Sequence, residues 1–158
     1  MSNPTIEITV HEYGATVLRY RLKSTGHSST RYGVCEVCNQ HTNEVFHLTS
    51  QMLYERKQNG SGFGWTGSYC LCVFGHFECL KARRIGSPVM TLTGEGVDAN
   101  FRALINGTDV LIGRDAEGFK AHIADRYEGL FSSLTRAARF ARMAANHPER
   151  RRRITAPV

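Results

Sequence analysis

Cys35-Glu36-Val37-Cys38 and His76-Phe77-Glu78-Cys79 are the two stretches on which the fold turns. Each carries two metal-ligating side chains with two residues between them, and 37 residues separate the pairs. Zinc prefers thiolate and imidazole in a tetrahedron, and two close pairs from distant segments close such a shell. In a tight knuckle this spacing turns both sulfurs toward one ion while the intervening amides face the thiolates. At a helix start, positions i and i+3 share a face. The positive helix end is then expected to lower the thiol pKa of Cys79. The expectation is one structural zinc ion held by Cys35, Cys38, His76 and Cys79. Four protein ligands leave no open position for water, so the ion supports folding and no catalytic residue is assigned.

The flanking sequence agrees. Glu44–Tyr54 holds Val45, Phe46, Leu48, Met52 and Leu53 and reads as extended. Residues 59–67 hold four glycines in nine positions and must form a loop. Ser68–Phe74 reads as a buried strand, and the residues after Gly75 tolerate helix until Gly86-Ser87-Pro88 stops it. A knuckle, two extended segments and a helix carrying the second ligand pair resemble the treble-clef class of zinc fingers. The resemblance covers about residues 32–84 and implies a structural motif, not a function. Cys70 and Cys72 compete for a role. They alternate on one strand, and they read as substitute zinc ligands, as buried apolar residues, or as a redox pair.

Outward from this module, Thr5–Val10 alternates apolar and polar residues, Glu12-Tyr13-Gly14 supplies a turn and Thr16–Leu22 reads as a second strand, which together predict a hairpin. Val89–Thr93 is a short strand candidate. Phe101–Ile105 and Asp109–Ile112 flank Asn106-Gly107, a strong hairpin signal. Behind Asp115, expected as a helix N-cap, Phe119, Ile123, Tyr127, Leu130, Leu134, Ala138 and Ala141 fall at steps of three and four. That spacing predicts one long amphipathic helix over 115–146, with Gly118 and Gly129 as weak points. The expected fold is α+β: small antiparallel hairpins around a treble-clef-like zinc module, then the long helix. Residues 1–148 form a single zinc-stabilised domain in this reading, and 149–158 a basic tail.

The chain has 158 residues and a net charge of +6. Residues 136–158 carry seven arginines and one glutamate, so the whole excess lies in this last stretch. A neutral body with a basic end suits a phosphate or acidic-surface contact more than general basicity does. Candidate nucleic-acid contacts are Lys81, Arg83 and Arg84 after the zinc ligands, Arg136 and Arg139 opposite the apolar stripe, and Arg150, Arg151, Arg152 and Arg153. Phe63, Trp65 and Tyr69, in or beside the glycine loop, either stack on bases or fold back over the core.

No run of about 18 apolar residues is present, so no membrane span is expected. The start of the chain lacks the pattern of a secretory signal, and five cysteines do not suit a disulfide framework. A cytoplasmic setting follows as the expectation. The leading reading is a non-catalytic zinc protein that binds DNA or RNA. The alternative is a protein-binding adaptor or inhibitor gripping an acidic partner. A small nuclease using His41 or His47 comes third, because the expected helix supplies no further metal-binding histidine or asparagine.

Overall fold

A computed structural model describes residues 6–55, 62–66, 71–94 and 100–147. The described chain is mostly antiparallel strand with a C-terminal helix, and it divides into two compact units.

The first unit spans Met1–Met52 and Thr66–Pro88. Strands β1 (Ile6–Tyr13) and β2 (Thr16–Ser24) form the expected hairpin, in which Gly14 takes a φ of 60° that its lack of a Cβ permits. A one-turn helix, α1 (Ser29–Tyr32), follows, with the Ser28 hydroxyl accepting from the Thr30 amide at 3.2 Å. Strand β3 (Phe46–Glu55) pairs with β2 in the register Leu22 to Leu48. On its other edge it pairs with β5 (Leu71–Gly75) in the register Phe46 to Gly75. Helix α2 (Phe77–Lys81) follows β5 directly.

Alternation decides what this sheet buries. Leu18, Tyr20 and Leu22 on β2, Phe46 and Leu48 on β3, and Val73 on β5 share one face and cluster with Leu80 of α2. Leu22, Leu48 and Leu80 are essentially sealed from water, and each contributes about 1.5–3 kcal/mol on burial. Val37, from the knuckle, packs against the same cluster, so the ligand loop and the core are one body. On the other face β2 presents Arg19, Arg21 and Lys23 at alternate positions.

The second unit comprises Leu53–Trp65 and Val89–Val158. The short strand β4 (Phe63–Trp65) pairs with the last residues of β3, and β6 (Ser87–Thr91) opens the later stretch. Four strands then form an antiparallel meander: β7 (Asn100–Ile105), β8 (Thr108–Asp115), β9 (Gly118–Ile123) and β10 (Arg126–Phe131). Asn106 and Gly107, with φ of 48° and 78°, make the predicted two-residue turn. Helix α3 (Leu134–Asn146) ends the described chain, with Ser133 as N-cap. Its Leu134, Ala137, Ala138, Ala141, Ala144 and Ala145 are buried, and it packs on the meander. The buried side chains of those strands include Phe101, Ile112, Phe119 and Ile123. An alanine stripe brings the helix backbone close to a sheet already filled by larger side chains.

The long helix expected over 115–146 is corrected to two strands and a 13-residue helix. Asp115 caps a turn rather than a helix: its carboxylate accepts from the amides of Glu117 at 2.8 Å and Gly118 at 3.3 Å. Gly118, with a φ of 146°, starts β9, and the register of the β9–β10 pair shifts between Tyr127 and Gly129. The two glycines expected to weaken a helix instead serve a strand start and a bulge. The apolar stripe had mixed two faces: Phe119 and Ile123 are buried, whereas Tyr127 and Leu130 are exposed. Among the described residues no helix is long and apolar enough to cross a membrane.

Candidate metal centre

The knuckle is built by local backbone chemistry. The Cys35 amide donates to the Gln40 carbonyl at 2.9 Å, and the Asn39 amide donates to the Cys35 carbonyl at 2.8 Å. The turn needs a left-handed residue just after Cys38, and Asn39 supplies it with a φ of 61°. Glu36 fastens the knuckle to the sheet. Its amide donates to the Phe74 carbonyl at 2.9 Å, and its carboxylate accepts from the Phe74 amide at 2.7 Å. Residue 36 thereby occupies the free edge of β5, and Cys35 lies opposite Gly75. A Cβ at position 75 would fall directly on the Cys35 sulfur, so glycine is required there by close approach.

This arrangement brings Cys35, Cys38, His76 and Cys79 together, with one ligand atom from each lying within 4.8 Å of all the others. The Nδ1 of His76 is 3.4 Å from the Cys38 sulfur and 3.9 Å from that of Cys79. Zn–S bonds of about 2.3 Å and Zn–N bonds of about 2.0–2.1 Å imply tetrahedron edges of about 3.5–3.8 Å. The donors therefore stand close to the spacing that one such ion needs. Cys35 is buried, Cys38 is exposed, and His76 and Cys79 are intermediate.

The electrostatics of the group are uneven. Burial acts to raise the Cys35 thiol, but backbone N–H groups of Cys38, His76 and Val37 outweigh it and bring it down to about 6. The Val37 and His76 amides each stand 3.4 Å from that sulfur. Such donors satisfy a ligating thiolate's remaining lone pairs, as outer partners do at metal sites. Cys79 is pushed the other way, up to about 11, by desolvation and by the neighbouring Cys38 and Cys35 sulfurs. The lowering expected from the helix end is thus corrected, since α2 has only five residues and two sulfurs stand beside the thiol.

Cys72 does not join this group. It is exposed on β5, and its sulfur lies 3.1 Å from Nε2 of His47. His47 stacks on Phe74 with ring centroids 4.1 Å apart, and Phe74 stacks on Tyr32 at 5.6 Å. Burial and the nearby Arg21 guanidinium hold the His47 imidazole below its usual pKa. Cys70 and Tyr69 lie outside the described residues, as do Arg150, Arg151, Arg152 and Arg153.

The remaining candidates separate by burial. Arg84 is turned inward, donating to Glu7 at 3.0 Å and Thr9 at 2.9 Å, so its guanidinium serves the first unit. Lys81 lies over the Phe77 ring at 5.0 Å, and Arg83 is exposed. Trp65 folds back: it is 8% exposed and meets Phe101 edge-on at 5.7 Å. Phe63 is capped by the Arg114 guanidinium at 4.1 Å. Both aromatics serve packing in the second unit. Arg136 and Arg139 are exposed on α3, and His41 is exposed in the loop before β3. Gly75, Glu36 and Asn39 were not singled out from the sequence. A glycine directly before a ligand pair and an asparagine directly after one were the available signals.

Fold and site together define a mostly antiparallel β protein with a Cys3His group suited to one metal ion, consistent with zinc. No family model matches the chain, and no curated protein or solved structure does either.

Proposed function

We propose that the chain is a non-catalytic protein in which Cys35, Cys38, His76 and Cys79 hold one structural zinc ion, and that it binds nucleic acid through its basic C-terminal region. The zinc part is supported by the donor set, its spacing and its amide-lined sulfur. Bound zinc would tie the knuckle to the start of α2 and would leave no ligand position for substrate.

The observation that carries the nucleic-acid part is the composition of α3. Its buried side is leucine and alanine, its exposed side holds Arg136, Arg139 and Arg142, and it contains no acidic residue. Arg142 is anchored to the Val89 carbonyl at 2.8 Å, whereas Arg136 and Arg139 have no ion-pair partner among the described residues. Residues three apart on a helix are neighbours on its surface, so this side presents a compact positive patch. The Arg150–Arg153 run extends the same charge in sequence. Affinity gained from phosphate neutralisation falls with salt, with a log–log slope of about −0.9 per contact on duplex DNA and about −0.7 on single strands.

The test is fluorescence anisotropy of labelled single-stranded DNA, duplex DNA and RNA across a salt series. Arg136→Ala/Arg139→Ala and Arg150–Arg153→Ala should each weaken binding and flatten the slope. Binding indifferent to both variants, or absent at low salt, overturns the reading.

A further inference from the structure

On the sheet face of the first unit opposite Leu48 and Val73 lies a second cysteine–histidine pair. The register sets His47 of β3 beside Phe74 of β5 and Thr49 beside Cys72, so His47 and Cys72 are diagonal neighbours. The His47 ring lies flat on Phe74, with centroids 4.1 Å apart and planes within 5°, and its Nε2 stands 3.1 Å from the Cys72 sulfur. Tyr32 stacks on Phe74 at 5.6 Å, so the imidazole rests on a supported ring. Three charged groups surround the pair. Arg21 shares the cross-strand row of Thr49 and Cys72, Lys23 pairs with His47, and the Glu36 carboxylate accepts from the Phe74 amide. Burial and Arg21 hold the His47 pKa below 6.5, so at pH 7 the imidazole is neutral and able to take a proton. Cys72 is exposed, and it stands apart from Cys35, Cys38 and Cys79, whose sulfurs a bound metal ion would occupy.

We propose that Cys72 and His47 form a modification site for small hydroperoxides, at which the Cys72 thiol becomes a sulfenic acid. The thiolate is the nucleophile, so a base in contact with the sulfur sets its reactivity. His47 Nε2 takes the thiol proton as the sulfur attacks one peroxide oxygen. The S–O bond forms, the O–O bond breaks, and the departing hydroxide regains that proton from Nε2 and leaves as water. The sulfur loses two electrons and the peroxide gains them. A reagent this small reaches an exposed thiol without an enclosing pocket. The step consumes the thiol, so it is a modification rather than turnover, and it uses neither the metal group nor α3.

The test treats the full, zinc-loaded chain with hydrogen peroxide and traps the sulfenic acid with dimedone. Fragment-ion mass spectrometry locates the label, and glutathione serves as the reference thiol. Cys72 should react faster than glutathione at pH 7. Its rate should hold steady as pH falls from about 8 to 6.5 and drop below that, as His47 gains its proton, while glutathione slows throughout. His47→Gln should cut the rate by about 100-fold, the lower end of what a positioned base contributes. Zinc content confirms that this variant is folded; should it lose zinc, the pH profile of the parent decides alone. The proposal is overturned if Cys72 reacts no faster than glutathione or if its rate follows the pH dependence of glutathione. A zinc-retaining His47→Gln protein that reacts like its parent, or a label that appears first on Cys70 or a metal ligand, overturns it as well.

Discussion

Gly75→Ala is the sharpest perturbation of the metal centre, because it adds one methyl group and changes no ligand. The new Cβ would fall on the Cys35 sulfur, with the Cys35 Cβ and Cα only 3.3 and 3.4 Å away. Those atoms cannot retreat easily, since Cys35 is 0% exposed and its backbone is held by Gln40 and Asn39. Gly75 is equally fixed by its pairing with Phe46. Overpacking of this kind costs about 1–3 kcal/mol. It also displaces the ligand whose lone pairs the Val37 and His76 amides satisfy, and loss of such outer support costs about 10–100-fold in metal affinity. The expected result is therefore a zinc dissociation constant raised about 10–100-fold, with a lower melting temperature for the loaded protein. A competition titration against a chromophoric chelator reads the first, and a calorimetric melt reads the second. Gly94→Ala is the control, because nothing lies within 4 Å of a Cβ there, and it should change neither by more than about 0.5 kcal/mol. A Gly75→Ala protein that holds zinc as tightly as its parent would refute the close-approach reasoning.

Other outcomes follow from the same geometry. At pH 7 the metal-free site presents Cys35, at about 6, as thiolate and Cys79, at about 11, as thiol. Zinc uptake should therefore release protons, and affinity should climb as pH rises; calorimetry in buffers of different ionisation enthalpy checks this, and proton-neutral binding would contradict it. His47 titrates below its usual 6.5 in the folded chain, so the unfolded chain takes up that proton first. Its contribution to stability is complete above pH 6.5 and is lost as pH falls through the lower folded value. Denaturant melts of His47→Gln should show a shallower acid slope than the parent in that window. Ser133→Ala removes the hydroxyl that accepts from the Arg136 amide at 3.2 Å, and should cost about 1 kcal/mol of second-unit stability in the same assay, with no change in zinc content.

The parts of this protein that could be read from its sequence are those where local chemistry admits few alternatives. Paired ligands with two residues between them, Asn106-Gly107 between apolar runs and the alternation in β1 each point to one structure. The β9–β10 hairpin was hidden because its turn uses Ala124 and Asp125 at φ of 50° and 66°, without the glycine or asparagine that usually marks such a bend. With the turn unmarked, residues from two sheet faces combined into a helical period. Trp65 posed a different problem. A glycine-rich neighbourhood suggests an exposed ring, and only the long-range partner Phe101 decides that the ring is covered. The inward path of Arg84 likewise depends on Glu7 and Thr9, more than 70 residues earlier.

The distance along the chain between the two ligand pairs has a thermodynamic side of its own. A single ion joining Cys38 to His76 would act as a reversible cross-link around 37 intervening residues. In the chain-entropy account, closing a loop of that size removes about 4 kcal/mol of disorder from the denatured ensemble. The enclosed stretch includes Leu53–Trp65, which belongs to the second unit. Withdrawing a bound ion would thus loosen the tether for both units at once, through chain connectivity alone.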